Sequence, residues 1–314
     1  MQKIINYPHL ANQVFGVPHY ATPQTLDAVK AVIIPRILNA SMSFSELELN
    51  KINLSSNNND VNKITSNANP IKVISVHGLL TSRRGSINAA CTELVSYEKL
   101  RSDINQALND ESIKEIVLDI NSGGGAATGC KELADFIFQS REIKPITAIV
   151  NFYAFSAAYF IASACSKIII SETSGVGSIG VIIEHMETSK LEENQGLKFT
   201  TLYRGDYKNL GSRHEALSDN ALEFLNSQLD WTYKLFTESV AKYRGLDVQT
   251  VIDTQARCFF GDEALKNGLA DQVLNPQDAI NSIALKHQQQ PQQPQKAQNN
   301  IKLRAVAINQ ANQI

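Results

Sequence analysis

Along the 314-residue chain the hydrophobic positions change period several times, and each change predicts an element. IKVISVHG (71–78) is rich in β-branched residues and closes on glycine, which reads as a strand. From Ser96 to Leu108, the residues Tyr97, Leu100, Ile104 and Leu108 share one face of a helix. EIVLDINS (115–122) is a nearly unbroken apolar run, the pattern of a strand buried on both faces. A helix from about Thr128 to Ser140 turns Leu133, Phe136 and Ile137 inward. PITAIVNF (145–152) is the next strand, Ser156 to Ser166 a helix of small residues, and KIIIS (167–171) another strand. A glycine-rich loop, GVGSIGVII (175–183), precedes a predicted strand KFTTLYR (198–204), and two helices follow at about 218–243 and 247–254. Strands alternating with helices through parallel crossovers imply a layered α/β fold.

The flanks are of a different character. Residues 1–52 read as a short ordered extension, with a helical stretch from Thr25 to Leu38 that Pro35 breaks late. Residues 53–70 are an Asn/Ser-rich linker, the main domain is expected over 71–285, and 286–314 is a Gln-rich tail of disordered composition.

Charge narrows the partners. Lys+Arg is 29 and Asp+Glu 31, a net charge of −2, which gives no electrostatic reason to expect nucleic acid or an anionic membrane. Cys91, Cys130, Cys165 and Cys258 are widely spaced, with no CxxC pair and no metal-ligand spacing with histidine, and read as small buried apolar residues. The N-terminus shows no secretory signal pattern. Thr147 to Ser166 carries no charge and is long enough to span a membrane. Its polar residues and the preceding Pro145 favour a buried strand, a turn and a helix instead, so no stable membrane span is expected.

Four units could carry chemistry. GGG at 123–125 lies between a strand and a helix, where backbone N–H groups free of Cβ clashes can converge on an incoming atom. A plain tight turn, a phosphate cradle and an oxyanion hole all fit such a loop; the Walker ending and the dinucleotide spacing are both missing. Ser156 sits where a strand gives way to a helix, so its hydroxyl is either an ordinary N-cap or a nucleophile with the Ala157 N–H beside it. Ser178 lies in the turn GVGSIG, and Lys208 follows a predicted strand; a lysine serves as base only if burial holds its pKa down. His185, 29 residues after Ser156, is a competing imidazole base.

The order of these units, NSGGG, AFSAAYFIASA, GSIGV and YKNLGS, with the closing segment RCFFGDEALKNGLADQV, resembles the signal peptide peptidase A family of serine peptidases over about residues 71–275. The N-terminal pattern, ISVHGLLTSRR and TELVSYEKLRSDINQAL resemble its phage head-maturation (prohead/capsid protease) subfamily. The resemblance implies a Clp protease/crotonase-like spiral of β-β-α units. It implies Ser156 as nucleophile and Lys208, 52 residues later, as general base. Ser178 would orient the lysine, and Gly125 and Ala157, with Gly124, would form the oxyanion hole. It further implies a homo-oligomer without metal or organic cofactor, acting on capsid or scaffold polypeptides in the host cytoplasm or the procapsid. One departure is visible: the family's proline in the oxyanion turn is Gly123 here.

Other readings stay open at this level. They are a Clp-like Ser156–His185–Asp peptidase, a signal-peptide-degrading peptidase, a crotonase-like acyl-CoA enzyme, and a non-catalytic capsid assembly protein that kept the fold.

Overall fold

The computed structural model describes residues 14–37, 70–85 and 94–288. The Asn/Ser-rich segment 53–69, the tail beyond 288 and Cys91 lie outside the described residues. Strand β1 (His19–Ala21) and helix α1 (Pro23–Ile37) come first. The chain then runs through β2 (Ile71–His77), β3 (Leu80–Thr81), β4 (Val95–Ser96) and α2 (Tyr97–Asn109). Next are β5 (Glu115–Ser122), β6 (Gly124–Ala126) and α3 (Cys130–Ser140). The centre is β7 (Ile146–Phe155) and α4 (Ala157–Ser163), followed by β8 (Lys167–Ile170) and β9 (Gly175–Gly177). The remainder is α5 (Ser189–Asn194), α6 (Asp219–Arg244), α7 (Val248–Asp253), β10 (Cys258–Phe260), α8 (Gly261–Lys266), β11 (Gln272–Val273) and α9 (Pro276–Gln288).

A long strand, short strands and a helix recur: β2–β3–β4–α2, then β5–β6–α3. The long strands β2, β5 and β7 form one sheet with shorter strands, in the order β10-β9-β7-β5-β2, with β8 beside β7 and β11 beside β8. The β2–β5, β5–β7 and β7–β8 pairs are parallel, and the short strands form a second sheet, β1-β6-β3-β4. This is the expected spiral of β-β-α units in an α/β fold. The apolar run at 115–122 became a central strand because α2 and α3 cover one face and α9 the other; Val117 packs with Ile149, Ile169 and Ile283 beneath α9. On the opposite face Leu100, Ile104, Leu133, Phe136 and Ile137 meet Ile116, Leu118 and Ile120. Each such side chain contributes roughly 1.5–3 kcal/mol by leaving water.

Three boundaries differ from expectation. β7 runs on to Phe155, because its last three residues pair with β9 after β8 has ended. α1 passes through Pro35, because a proline withholds only one N–H from the ladder. KFTTLYR (198–204) forms no strand: it lies in an exposed excursion between α5 and α6 with no sheet edge to pair with. The charge-free stretch 147–166 divides into β7, a turn and α4, with α4 and the first half of β7 buried; among the described residues no helix is long and apolar enough to cross a membrane. Cys130 and Cys165 are buried thiols, and Cys258 is partly buried.

Lys144, before β7, is 9 % exposed and donates to the carbonyls of Ala107 (2.8 Å) and Asp110 (2.5 Å). Burial holds its ammonium down at about 8, against an ordinary 10.5. The unfolded chain therefore keeps a proton between those values that the folded chain has released, so stability gains a contribution as pH rises from about 8 to 10.5 and loses it on the way down. Urea unfolding of wild type and Lys144→Met across that window should show the rise only in the wild type; parallel curves would refute it.

Candidate active site

β7 delivers the chain to Ser156, and α4 carries it away. The turn between them is sharp: Ser156 has φ 56° and ψ −118°, a left-handed backbone that a residue with a Cβ avoids. Its N–H donates to the Gly177 carbonyl (2.9 Å), and its own carbonyl accepts from Phe160 N–H (2.9 Å). These two bonds pin the turn between β9 and the first turn of α4. Every residue of α4 is buried, and Ala157, Ala158 and Ala162 let the helix sit close to the sheets.

This geometry rejects the ordinary reading of Ser156. Although it occupies the N-cap position, its side chain makes no cap hydrogen bond. The residue is 1 % exposed and its Oγ has no partner among the described residues. A buried hydroxyl left unpaired costs about 1–3 kcal/mol, and a strained φ/ψ costs a further ~1–3 kcal/mol. Two penalties on one side chain, at a turn that frees the adjacent Ala157 N–H from any intrahelical acceptor, are what a poised nucleophile requires.

The glycine loop faces it. A Cβ placed on Gly124, whose φ is 103°, would lie 3.1 Å from Ser156 Cβ, and one on Gly125 would lie 1.9 Å from the Leu80 carbonyl oxygen. Only glycine fits either position. A register shift between Ile120 and Ser122, where β5 pairs with β7, aims the loop across the end of the sheet. Ser122, quoted from the sequence only as part of NSGGG, braces it: its Oγ donates to Gly78 O (2.6 Å) and accepts from Gly124 N (3.0 Å). The Gly124 N–H is thus already engaged within the loop, which leaves Gly125 and Ala157 as the expected oxyanion donors without such a side-chain partner.

The remaining expected residues are not gathered here. Ser178, with φ 54°, follows β9, and its N–H donates to Arg257 O (2.9 Å). Lys208 is exposed on the 195–217 excursion, its N–H bonded to Gly205 O, and lines a shallow cavity with Thr201, Asn209 and His214. No hydrogen bond joins Lys208 to Ser156 or to Ser178. His185 Nε2 is buried and, like Ser156 Oγ, unpartnered, so the two are not bonded to each other and the imidazole alternative is not assembled.

Sequence reasoning missed how the excursion is anchored. His214 Nδ1 meets Glu192 at 2.9 Å, Thr188 Oγ1 donates to the same carboxylate at 2.6 Å, and the Phe199 ring stacks on His214 at 4.3 Å. The Thr188 hydroxyl, then the His214 ring, hold the Glu192 carboxyl below its ordinary pKa. The residues are scattered over more than twenty positions, with no spacing signal to find them. Among the described residues no group of three or more His, Cys, Asp or Glu is arranged to hold a metal ion.

A buried serine on a strained strand-to-helix turn, facing a glycine loop in a parallel β-β-α spiral, is an arrangement that suits nucleophilic attack on an acyl group. Residues 139–290, which include Ser156, Ser178 and Lys208, match the sequence model of Peptidase family S49. The chain is 36 % identical over 212 residues to the capsid assembly protease C of Escherichia phage lambda, covering 68 % of this chain and 48 % of that protein. It is 36 % identical over 216 residues to the head-tail preconnector protein GP5 of Enterobacteria phage P21, covering 69 % and 43 %. A putative signal peptide peptidase SppA of Enterococcus faecium is 28 % identical over 239 residues, covering 75 % and 69 %. The chain thus spans about half the length of the two phage relatives.

Glycine at position 156 would accept the strained backbone and remove the orphan hydroxyl. Ser156→Gly should therefore raise Tm, by roughly 2–4 °C for a gain of about 1 kcal/mol in a domain of this size. A fall in Tm by calorimetry would show that Ser156 is an ordinary packing residue.

Proposed function

We propose that the protein is a serine endopeptidase that works through a Ser156–Lys208 dyad and cuts capsid or scaffold polypeptides during phage head assembly. The observation that carries this reading is the buried, strained, unpartnered Ser156 beside the glycine loop. Ser156 Oγ attacks the carbonyl carbon of the scissile peptide. The electron pair moves to the carbonyl oxygen, which the N–H groups of Ala157 and Gly125 receive; one such donor is typically worth about 2.7–4 kcal/mol. The base takes the serine proton and hands it to the leaving amine as the tetrahedral intermediate collapses, and water then releases the acyl group by the same route.

Lys208 fills the base role only when it is desolvated, because a solvated ammonium keeps its proton. It is exposed in the single chain, so the reading requires the 195–217 excursion to close on the site, its own or that of a neighbouring copy. Ser178 then fixes the direction of the ammonium. Homo-oligomer formation accords with the apolar side chains the chain leaves in solvent, among them Leu202 (88 % exposed), Trp231 (65 %) and Phe152 (56 %). The choice of capsid or scaffold substrate, and of the procapsid as the place of action, rests on the two phage relatives.

The test is co-expression with the capsid and scaffold proteins, read by intact mass, for wild type, Ser156→Ala, Lys208→Ala and His185→Ala. Loss of either dyad member should abolish detectable cleavage, a drop of about 10⁴-fold or more, while His185→Ala keeps cutting. Cleavage that survives Lys208→Ala and dies with His185→Ala replaces the dyad by a Clp-like triad. A wild type that cuts nothing favours the non-catalytic assembly protein.

A further inference from the structure

The N-terminal segment does something the sequence pattern did not announce. β1 lies inside the candidate site, between the glycine loop and the chain that follows the GVGSIG turn. On one side it is antiparallel to β6, with His19 opposite Ala126, Tyr20 opposite Gly125 and Ala21 opposite Gly124. Thr22 N donates to Gly123 O (3.0 Å) at the end of that ladder. On the other side His19 N donates to Ile182 O (2.8 Å), Ile182 N returns to His19 O (3.0 Å), and Gly16 N donates to Glu184 O (2.8 Å). A short strand paired on both edges beside a nucleophile has the geometry of a bound extended peptide.

Its register brings a peptide carbonyl to the serine. The point a Cβ on Gly124 would occupy is 2.1 Å from Tyr20 O and 3.1 Å from Ser156 Cβ, so the Tyr20 carbonyl oxygen lies within about 5 Å of Ser156 Cβ. The Tyr20 side chain descends into a pocket under the nucleophile helix. There its ring meets Phe236 at 4.6 Å and Phe160, one turn after Ser156, at 5.5 Å, and its hydroxyl donates to Thr232 O (2.8 Å). Tyr20 is 2 % exposed. Beyond Ala21 the Thr22 hydroxyl accepts from Thr25 N, capping α1 and leading the chain away from the site. Glycine at 123 leaves room for this exit, since a Cβ there would lie 2.2 Å from Thr25 Oγ1.

We infer that β1 is an intramolecular pseudosubstrate: it fills the peptide groove, with Tyr20 in the pocket that selects an aromatic side chain in a true substrate. The inference rests on the serine peptidase reading of the site. Substrate must displace residues 16–22 before Ser156 can act, so the free chain is held closed, and loosening the Tyr20 anchor opens it.

Two measurements test it. In the 314-residue Ser156→Ala chain, hydrogen exchange of residues 16–22 is followed as a synthetic peptide of the chain's own residues 17–23 is added. The tyrosine peptide should accelerate exchange there, and its Tyr→Ala version should need at least about tenfold more for the same effect. Protection that neither peptide disturbs overturns the pseudosubstrate. In the Ser156-containing chain, cleavage of an unstructured reporter protein should rise from wild type through Tyr20→Phe to Tyr20→Ala, by about tenfold or more at the end. Equal, non-zero rates overturn it as well. Peptides that displace β1 while no variant cleaves leave the groove standing and sink the peptidase reading. Equal cleavage by all three chains with β1 still protected does the reverse. Should Tyr20→Ala fail to fold, the peptide competition and Tyr20→Phe still decide.

Discussion

The structure depends on one backbone conformation, the left-handed turn at Ser156. A residue with a Cβ holds φ 56° only when its surroundings leave no alternative. Here β7 is fixed on both edges, by β5 on one side and by β8 then β9 on the other, while α4 is buried along its whole length. The Ser156 N–H to Gly177 carbonyl bond ties the turn to β9 at the point where that strand ends. Neither strand nor helix can shift to relax the serine without breaking core contacts. The same rigidity leaves Oγ unpaired and the first N–H groups of α4 unused, so the strain and the chemical readiness of the site have one cause.

The glycine loop and β1 follow from that placement. Gly124 and Gly125 are squeezed between Ser156, Leu80 and the Tyr20–Ala21 backbone at distances no Cβ could share. Such close backbone approach makes the groove read main chain by hydrogen bonding, and leaves side-chain choice to the pocket of Phe160 and Phe236. Lys208 stands apart from this rigid half. It rides on an exposed excursion that is anchored through the Glu192–His214 pair and has no strand of its own. On the proposed dyad, a fixed serine and a base on a separate, solvent-borne segment suit an enzyme that must be assembled before it cuts.

Much of the fold was legible because its signals are local. The apolar run 115–122, the i, i+3, i+7 face of 97–108 and the small residues after Ser156 each imply their element without knowledge of the rest. The errors arose where tertiary context decides. KFTTLYR has strand-like alternation but meets no free edge, and at Pro35 the helix tolerates one missing N–H. At the site, Ser156 and the glycines were readable as a strand–turn–helix pattern, whereas the strain that sets Ser156 apart from an N-cap exists only in three dimensions. β1 was invisible for a different reason: three residues, His19–Ala21, pair with partners more than a hundred positions away, and no local periodicity encodes that. The burial a lysine base needs is likewise absent from any sequence window around Lys208.

The most direct test of the account is reaction of the folded chain with an excess of a fluorophosphonate probe, followed by peptide mapping of the adduct. A poised nucleophile at the strained turn predicts one adduct, on Ser156, that disappears in Ser156→Ala and leaves every other serine unmodified. A folded chain that takes up no probe, or takes it up equally on exposed serines, would contradict the claim that this turn exists to present a reactive hydroxyl.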